Sequence, residues 1–326
     1  MTCLFKKVRT IIATILCISA MNVAAQSAEE VYDLYQKGMK SIEAKNYETA
    51  INDLTASLNI YEKVTDFEGI ETIKESAEQA LAQTYYVYGM DLYQEKNFDK
   101  ALEQFKNAED FAKNIGNNDI TTKASTYVGR VYVSKSSAAF TEKQYDEAII
   151  AAAEALKIDN ENETAYLCRG RAYKEKGELD KMKTDLDKCI ELTKDDKQKA
   201  TTYSNAAKIA SAAYMNAGTD AIKNKKYSEA ISHLETAASY PEVNANTYYY
   251  LAMSYNALSK WNEAVTAANK ALSSDLKDFS GIYLELGKAY EGLGKKNEAC
   301  NAYKKVTTDQ YKKVADYQMQ NVLKCN

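Results

Sequence analysis

One short string returns seven times along this chain, and it limits the fold more than any other property. Asn46-Tyr47-Glu48-Thr49-Ala50-Ile51 recurs as Asn97-Phe98-Asp99-Lys100-Ala101-Leu102, as Gln144-Tyr145-Asp146-Glu147-Ala148-Ile149 and as Lys226-Tyr227-Ser228-Glu229-Ala230-Ile231. Lys260-Trp261-Asn262-Glu263-Ala264-Val265 is a fifth copy, with weaker ones at Glu178-Leu179-Asp180-Lys181-Met182 and Lys295-Lys296-Asn297-Glu298-Ala299. A unit this small cannot bury its apolar face alone, so successive copies must stack on one another.

Two further columns travel with the string. Twelve residues before each alanine position stand Gly38, Gly89, Ser136, Gly170, Gly218, Ala252 and Gly287. Seven residues after it stand Ser57, Ala108, Ala155, Cys189, Ala237, Ala271 and Val306. The spacing predicts two antiparallel helices per copy that approach closely where both present a small side chain, with the turn aromatic wedging the pair. A single proline and 12 glycines in 326 residues argue against an all-β fold, which needs many punctuated turns. With 45% apolar and 27% charged residues, the composition is that of a globular chain and not a disordered one.

The set of small residue, tyrosine (Tyr173, Tyr255 and Tyr290 in one column), turn aromatic, alanine and small residue resembles the tetratricopeptide repeat family. Met182, Lys296 and Val306 depart from it, being large or charged where the family prefers small or aromatic groups. The resemblance implies an all-α, right-handed solenoid of about seven helix–turn–helix repeats near 31–64, 82–115, 129–162, 163–196, 211–244, 245–278 and 280–308. It also implies that the first helices line a concave groove that binds peptides or protein segments.

The turn positions are 34, 34 and 35 residues apart in three intervals (Tyr145 to Leu179, Tyr227 to Trp261, Trp261 to Lys296) and 51, 47 and 48 in the other three. The extra residues amount to about four helical turns, enough to lengthen both helices of a hairpin by about two turns each. Breaks at Asp66-Phe67-Glu68-Gly69, Gly116-Asn117-Asn118-Asp119 and Asp195-Asp196 fit mixed long and short hairpins. Beyond Thr308, the spacing of Tyr311, Val314, Gln318, Met319 and Val322 predicts a helix over 309–326 that covers the end of the stack.

Residues 1–25 read as an export signal. Lys6, Lys7 and Arg9 precede the apolar stretch Ile11 to Met21, and Val23-Ala24-Ala25 offers small residues for cleavage. That stretch is short for a membrane span, and bulky Leu16 before Cys17 suits a lipoprotein site poorly. The expected location is the periplasm or the exterior. The segment carries three basic residues and no acidic one, so its removal leaves 39 basic against 46 acidic residues, net −7. An acidic chain without a basic stripe is not expected to bind nucleic acid.

In the first helices, the residue after the small column and the residue three before it give Met39, Met90, Arg171 and Met253, with Tyr35, Tyr86, Val133, Met215 and Tyr249. Tyr93 lies one turn beyond Met90. Methionine and tyrosine adapt to an apolar partner while keeping a hydroxyl wet, which suits peptide capture. The same spacing is also that of groups packed as core. A clamp for a terminal carboxylate is not expected, since only Arg171, Lys288 and Asn256 lie near these columns, in different copies. Cys300 with Cys325 would staple the last helix to the last repeat; Cys168 and Cys189 read either as a disulfide or as two buried thiols. No zinc-protease, Cys-x-x-Cys, phosphate-loop or nucleophile-elbow pattern is present, Gly292-Leu293-Gly294-Lys295 reads as a turn, and His233 stands alone. The expectation is therefore a non-catalytic scaffold, without cofactor or metal, that binds a protein or peptide partner; the alternative is a self-associating or envelope-assembly component.

Overall fold

A computed structural model of the chain describes residues 25–63, 69–274 and 277–325. The segment read from the sequence as an export signal, apart from Ala25, lies outside these residues, as do Cys3, Cys17 and Asp66 to Glu68. The described residues are all-α. A helix over 25–43 (α1) is followed by α2 (Tyr47–Tyr61), α3 (Ile70–Gln94), α4 (Phe98–Asn114), α5 (Asn118–Thr141), α6 (Tyr145–Ile158), α7 (Glu163–Glu175) and α8 (Leu179–Thr193). A single 3₁₀ turn at Lys197–Lys199 leads into α9 (Ala200–Lys223), then α10 (Tyr227–Ala238), α11 (Asn246–Ala257), α12 (Trp261–Leu272), α13 (Ser280–Gly292), α14 (Lys296–Tyr303) and α15 (Asp309–Tyr317). The chain divides into two compact units. One holds the described residues up to Lys135 together with Glu154–Asn160; the other holds Ser136–Ala153 and the described residues from Glu161 onward.

Every second helix begins on the turn residue of the repeated string: Tyr47, Phe98, Tyr145, Leu179, Tyr227, Trp261 and Lys296. Two residues before each start the backbone is left-handed, at Lys45, Lys96, Lys143, Gly177, Lys225, Ser259 and Gly294, with φ between 57° and 74°. The following amide then reaches back to the preceding helix, as from Lys226 N to Ala221 O (2.9 Å) and from Lys295 N to Tyr290 O (2.8 Å). This closes the first helix with a Schellman-type bond and turns the chain directly into the second.

The extra residues are not shared between the two helices of a hairpin. First helices α3, α5 and α9 have 25, 24 and 24 residues, against 13, 12 and 13 in α7, α11 and α13. Second helices α2, α4 and α8, of 15, 17 and 15 residues, are little longer than α6 at 14. The added turns therefore fall almost wholly at the start of the first helix.

Packing within a hairpin also differs from a meeting of two small residues. The glycine column is filled from across the pair by the residue four beyond the alanine. A Cβ added at Gly38 would lie 2.8 Å from Leu54, at Gly89 2.9 Å from Phe105, at Gly170 2.7 Å from Leu186, at Gly218 2.5 Å from Leu234 and at Gly287 2.4 Å from Tyr303. Where the column holds Ser136 or Ala252, the residue in the opposing position is Ala152 or Ala268, and all four are fully buried. Each crossing thus sets glycine against a large group, or two small groups against each other. Two turn aromatics pack within their own pair, Phe98 at 5.9 Å from Tyr93 and Tyr145 at 5.6 Å from Phe140, and others reach the next repeat. Tyr47 stacks on Tyr88 of α3 at 5.3 Å, and Trp261 lies over Gly292 at the end of α13.

The carboxy-terminal segment covers the last repeat with part of the expected face. Tyr311, Ala315, Met319 and Leu323 pack with Leu284, Tyr303 and Val306, whereas Val314 and Val322 are exposed. A π turn at Gln318–Val322 shifts the register after α15. Cys300 and Cys325 form a disulfide with Cα atoms 5.9 Å apart. Closing a 25-residue loop stabilises by roughly 3 kcal/mol through loss of denatured-state freedom. Reduction should therefore speed amide exchange in α15 by up to about 100-fold, leaving α7 and α8 unchanged; equal exchange with and without reductant would show that the bridge does not hold the helix.

Candidate functional site

The ten candidate residues of the first helices are all half-buried, but they divide between packing and open cavities. In the amino-terminal unit, Tyr35 packs beside Leu54 and Leu81. Tyr86, Met90 and Tyr93 join a cluster around Phe105 and Val131. Tyr86 sits 5.7 Å edge-on to Tyr127, Tyr93 lies 6.1 Å from the same ring, and the Tyr93 hydroxyl is 2.9 Å from Ser134 Oγ. These rings are shared between successive repeats. Met39 and Val133 are half-buried.

In the carboxy-terminal unit, Met215 bridges two core clusters. Tyr249 lies 5.2 Å from Tyr250, and both Tyr249 and Tyr311 lie within 3.3 Å of where a Cβ on Gly281 would stand. Burial, reinforced by a hydrogen bond with Tyr311, raises the Tyr249 hydroxyl far above its usual range, so it stays protonated.

A cavity of about 450 Å³ among α10, α11 and α12 is walled by Glu235, Tyr248, Leu251, Tyr255 and Lys270, and two more of this unit involve successive first helices. One, of about 530 Å³, is walled by Phe140 of α5, Leu167 and Arg171 of α7, and Asn205 and Ile209 of α9. The Arg171 guanidinium lies 4.3 Å from the centre of the Phe140 ring, a cation–π contact. The other, of about 630 Å³, lies between α11 and α13 and is walled by Tyr227, Met253, Asn256, Trp261, Glu285, Lys288, Glu291 and Gln318.

The cavity between α11 and α13 holds the most unusual electrostatics of the fold. Glu285 is 3% exposed and Asn256 8%. Asn256 Nδ2 donates to the Glu285 backbone carbonyl and to its carboxylate, both at 2.8 Å, and Lys288 Nζ donates to the other carboxylate oxygen at 2.7 Å. Asn256 Oδ1 and Gln318 Oε1 are buried side-chain oxygens without a hydrogen-bond partner. Glu291 accepts from the Tyr303 hydroxyl at 2.9 Å. The sequence set Asn256 and Lys288 aside because they fall in different copies; one repeat of offset puts them on adjacent first helices, facing a single carboxylate. Glu285 itself carries no mark in the sequence that separates it from the chain's other glutamates.

The Cys168–Cys189 disulfide is not formed: both are free, buried thiols. They face different neighbours. Cys168 lies beside Ser137 and Ser136 of α5, while Cys189 packs with Ala206 and Ala210 of α9. Burial pushes the Cys189 thiol up to about 12 and raises Cys168 as well, so neither is a ready nucleophile.

A family model described as tetratricopeptide repeat matches residues 129–162, 164–196 and 280–308, and one described as SHNi-TPR matches residues 41–68. No curated protein matches the chain. Among solved structures it is similar to the MamA protein, with 25% identity over 60% of this chain and 95% of that one at a TM-score of 0.37. It is also similar to YrrB, titled a TPR protein with an unusual peptide-binding site, with 16% identity over 59% and 88% at 0.35. A third is a tetratricopeptide repeat protein from Parabacteroides merdae, with 16% identity over 92% and 100% at 0.29. The matched segments coincide with four of the seven copies of the repeated string, and over those segments the chain is similar to tetratricopeptide repeats.

Proposed function

We propose that the protein is a non-catalytic, exported scaffold that holds a polypeptide segment against the first helices of its carboxy-terminal unit. The observation that carries this reading is the pair of cavities on that helix set, each combining an apolar wall with a charged group: Leu167, Ile209 and Phe140 with Arg171, and Met253 and Trp261 with Glu285 and Lys288. Mixed walls of this kind suit an extended or helical segment, which offers apolar and charged side chains in alternation. The aromatic clusters of the amino-terminal unit serve cohesion between repeats more than capture.

A photo-crosslinking side chain placed at Met253 or Leu167 should yield a defined adduct with a partner polypeptide in the native envelope fraction. The same group at exposed Ile150 or Ser232, on second helices, should yield at least tenfold less. Equal labelling at both sets would remove the reading. The self-associating alternative draws on Val314 and Tyr317, exposed apolar residues of the last helix at 44% and 59%; an adduct between two copies of this chain through Tyr317, with none at Met253, would favour it.

A further inference from the structure

Resting on that reading, we propose that the cavity between α11 and α13 receives an arginine side chain of the bound polypeptide. Among its walls two carboxylates, Glu285 and Glu291, face one ammonium, Lys288, so the walls are net negative. Glu285 is almost wholly buried, which makes an unmatched charge there costly and a matching cation from a partner valuable. The Asn256 amide spends its N–H groups on α13, and its Oδ1 is left buried and unpaired, in a residue that lines the cavity and is more than nine-tenths buried. Gln318 brings a second unpaired carbonyl oxygen from the π turn. The missing partners are therefore hydrogen-bond donors.

Guanidinium fits this set better than ammonium. Two carboxylates of α13 and amide oxygens of α11 and the π turn offer acceptors, and arginine offers five planar donors where lysine offers three. Met253 and the faces of Trp261 and Tyr227 supply apolar and π surface for the aliphatic stem and the planar head. Lys288 occupies Glu285 in the empty cavity, but its side chain is 41% exposed, so it can swing outward when a second cation arrives. Lys288 is thus a competitor of the ligand. This sign is opposite to that of a site for an acidic group, where the same lysine would be required.

Trp261 is the only tryptophan of the chain and lines the cavity, so its fluorescence reports occupancy. The probes are an acetylated, amidated Gly-Gly-Arg-Gly-Gly peptide, its citrulline counterpart (neutral, nearly the same shape), a glutamate counterpart and free arginine. A saturable change with the arginine peptide is expected, at least tenfold weaker with citrulline and with free arginine. Glu285→Gln should weaken arginine binding at least tenfold and Lys288→Gln should strengthen it several-fold. If Glu285→Gln loses helical circular dichroism, Glu291→Gln replaces it with the same expected direction. The inference is overturned by no saturable change, by equal affinity for citrulline, by binding of the glutamate peptide instead, or by loss of binding in Lys288→Gln. Free arginine binding as tightly as the peptide would assign the cavity to a small molecule and overturn the polypeptide assignment. A failed arginine titration with Met253 still cross-linking a polypeptide sinks this inference alone; absence of the cross-link sinks the scaffold reading.

Discussion

Gly218→Ala should destabilise the carboxy-terminal unit by about 2 kcal/mol even though alanine is the better helix former. The added Cβ would stand 2.5 Å from Leu234 Cγ and 3.3 Å from the Ala230 carbonyl oxygen, in a crossing where Leu234 is fully buried. Overpacking of this sort costs roughly 1–3 kcal/mol and more when backbone blocks the retreat, against a helix-propensity gain of about 1 kcal/mol. Leu234→Ala alone opens a cavity and costs about 2–5 kcal/mol. The double variant rebuilds the arrangement that the sixth repeat already uses at Ala252 and Ala268. It should therefore be no less stable than Leu234→Ala, with a favourable coupling of about 1–2 kcal/mol in a denaturant double-mutant cycle. Simple additivity would show that volume exchange across the crossing does not set its stability.

That pairing lies in the sequence at a constant offset of sixteen residues, yet periodicity alone finds only half of it. Small residues recur and stand out; the residue opposite them varies among leucine, phenylalanine, tyrosine and alanine, so it forms no column by identity and becomes a column only by volume. The start of every second helix was legible because the turn residue, the left-handed residue two before it and the returning amide act within six residues, as in Lys225, Lys226 and Tyr227. The placement of the extra turns was not legible, because both hairpin helices offer compatible apolar spacing and only contact with the neighbouring repeat chooses α3, α5 and α9. The covering face of the last segment was read in part: Tyr311 and Met319 pack as counted, Ala315 four residues after Tyr311 takes the place given to Val314, and the π turn at Gln318–Val322 shifts the register before Val322. The cavity between α11 and α13 escaped for a non-local reason. Asn256, Glu285 and Gln318 span 62 residues, and no spacing rule links a buried amide to a glutamate one repeat later and a glutamine in the terminal turn.

Removing one side of the Arg169–Asp185 pair should have the largest effect of any polar substitution in the fold. Asp185 on α8 is 3% exposed and accepts from Arg169 Nε at 2.7 Å and from Nη2 at 2.8 Å, a bidentate geometry between the two helices of one repeat. This hydrogen bonding also holds the Arg169 guanidinium above its already high pKa. The crossing at Gly170 and Leu186 lies one residue away on each helix, so the pair is sealed by the tightest contact of the hairpin. Arg169→Met leaves a carboxylate buried without a counterion, and such stranded charges cost about 3–5 kcal/mol. Asp185→Leu strands the less buried guanidinium, whose side chain is 22% exposed, and should cost somewhat less. The double variant Arg169→Met/Asp185→Leu removes both charges and restores apolar volume, so it should recover most of the loss. Protonation discharges a stranded carboxylate but not a stranded guanidinium. The deficit of Arg169→Met, measured by denaturant unfolding against the native chain at each pH, should therefore shrink as the pH falls from 7 toward 4.5. The Asp185→Leu deficit should shrink less. A deficit in Arg169→Met that stays constant over that range would show that Asp185 is solvated in the variant and that the pair is not the buried lock its geometry describes.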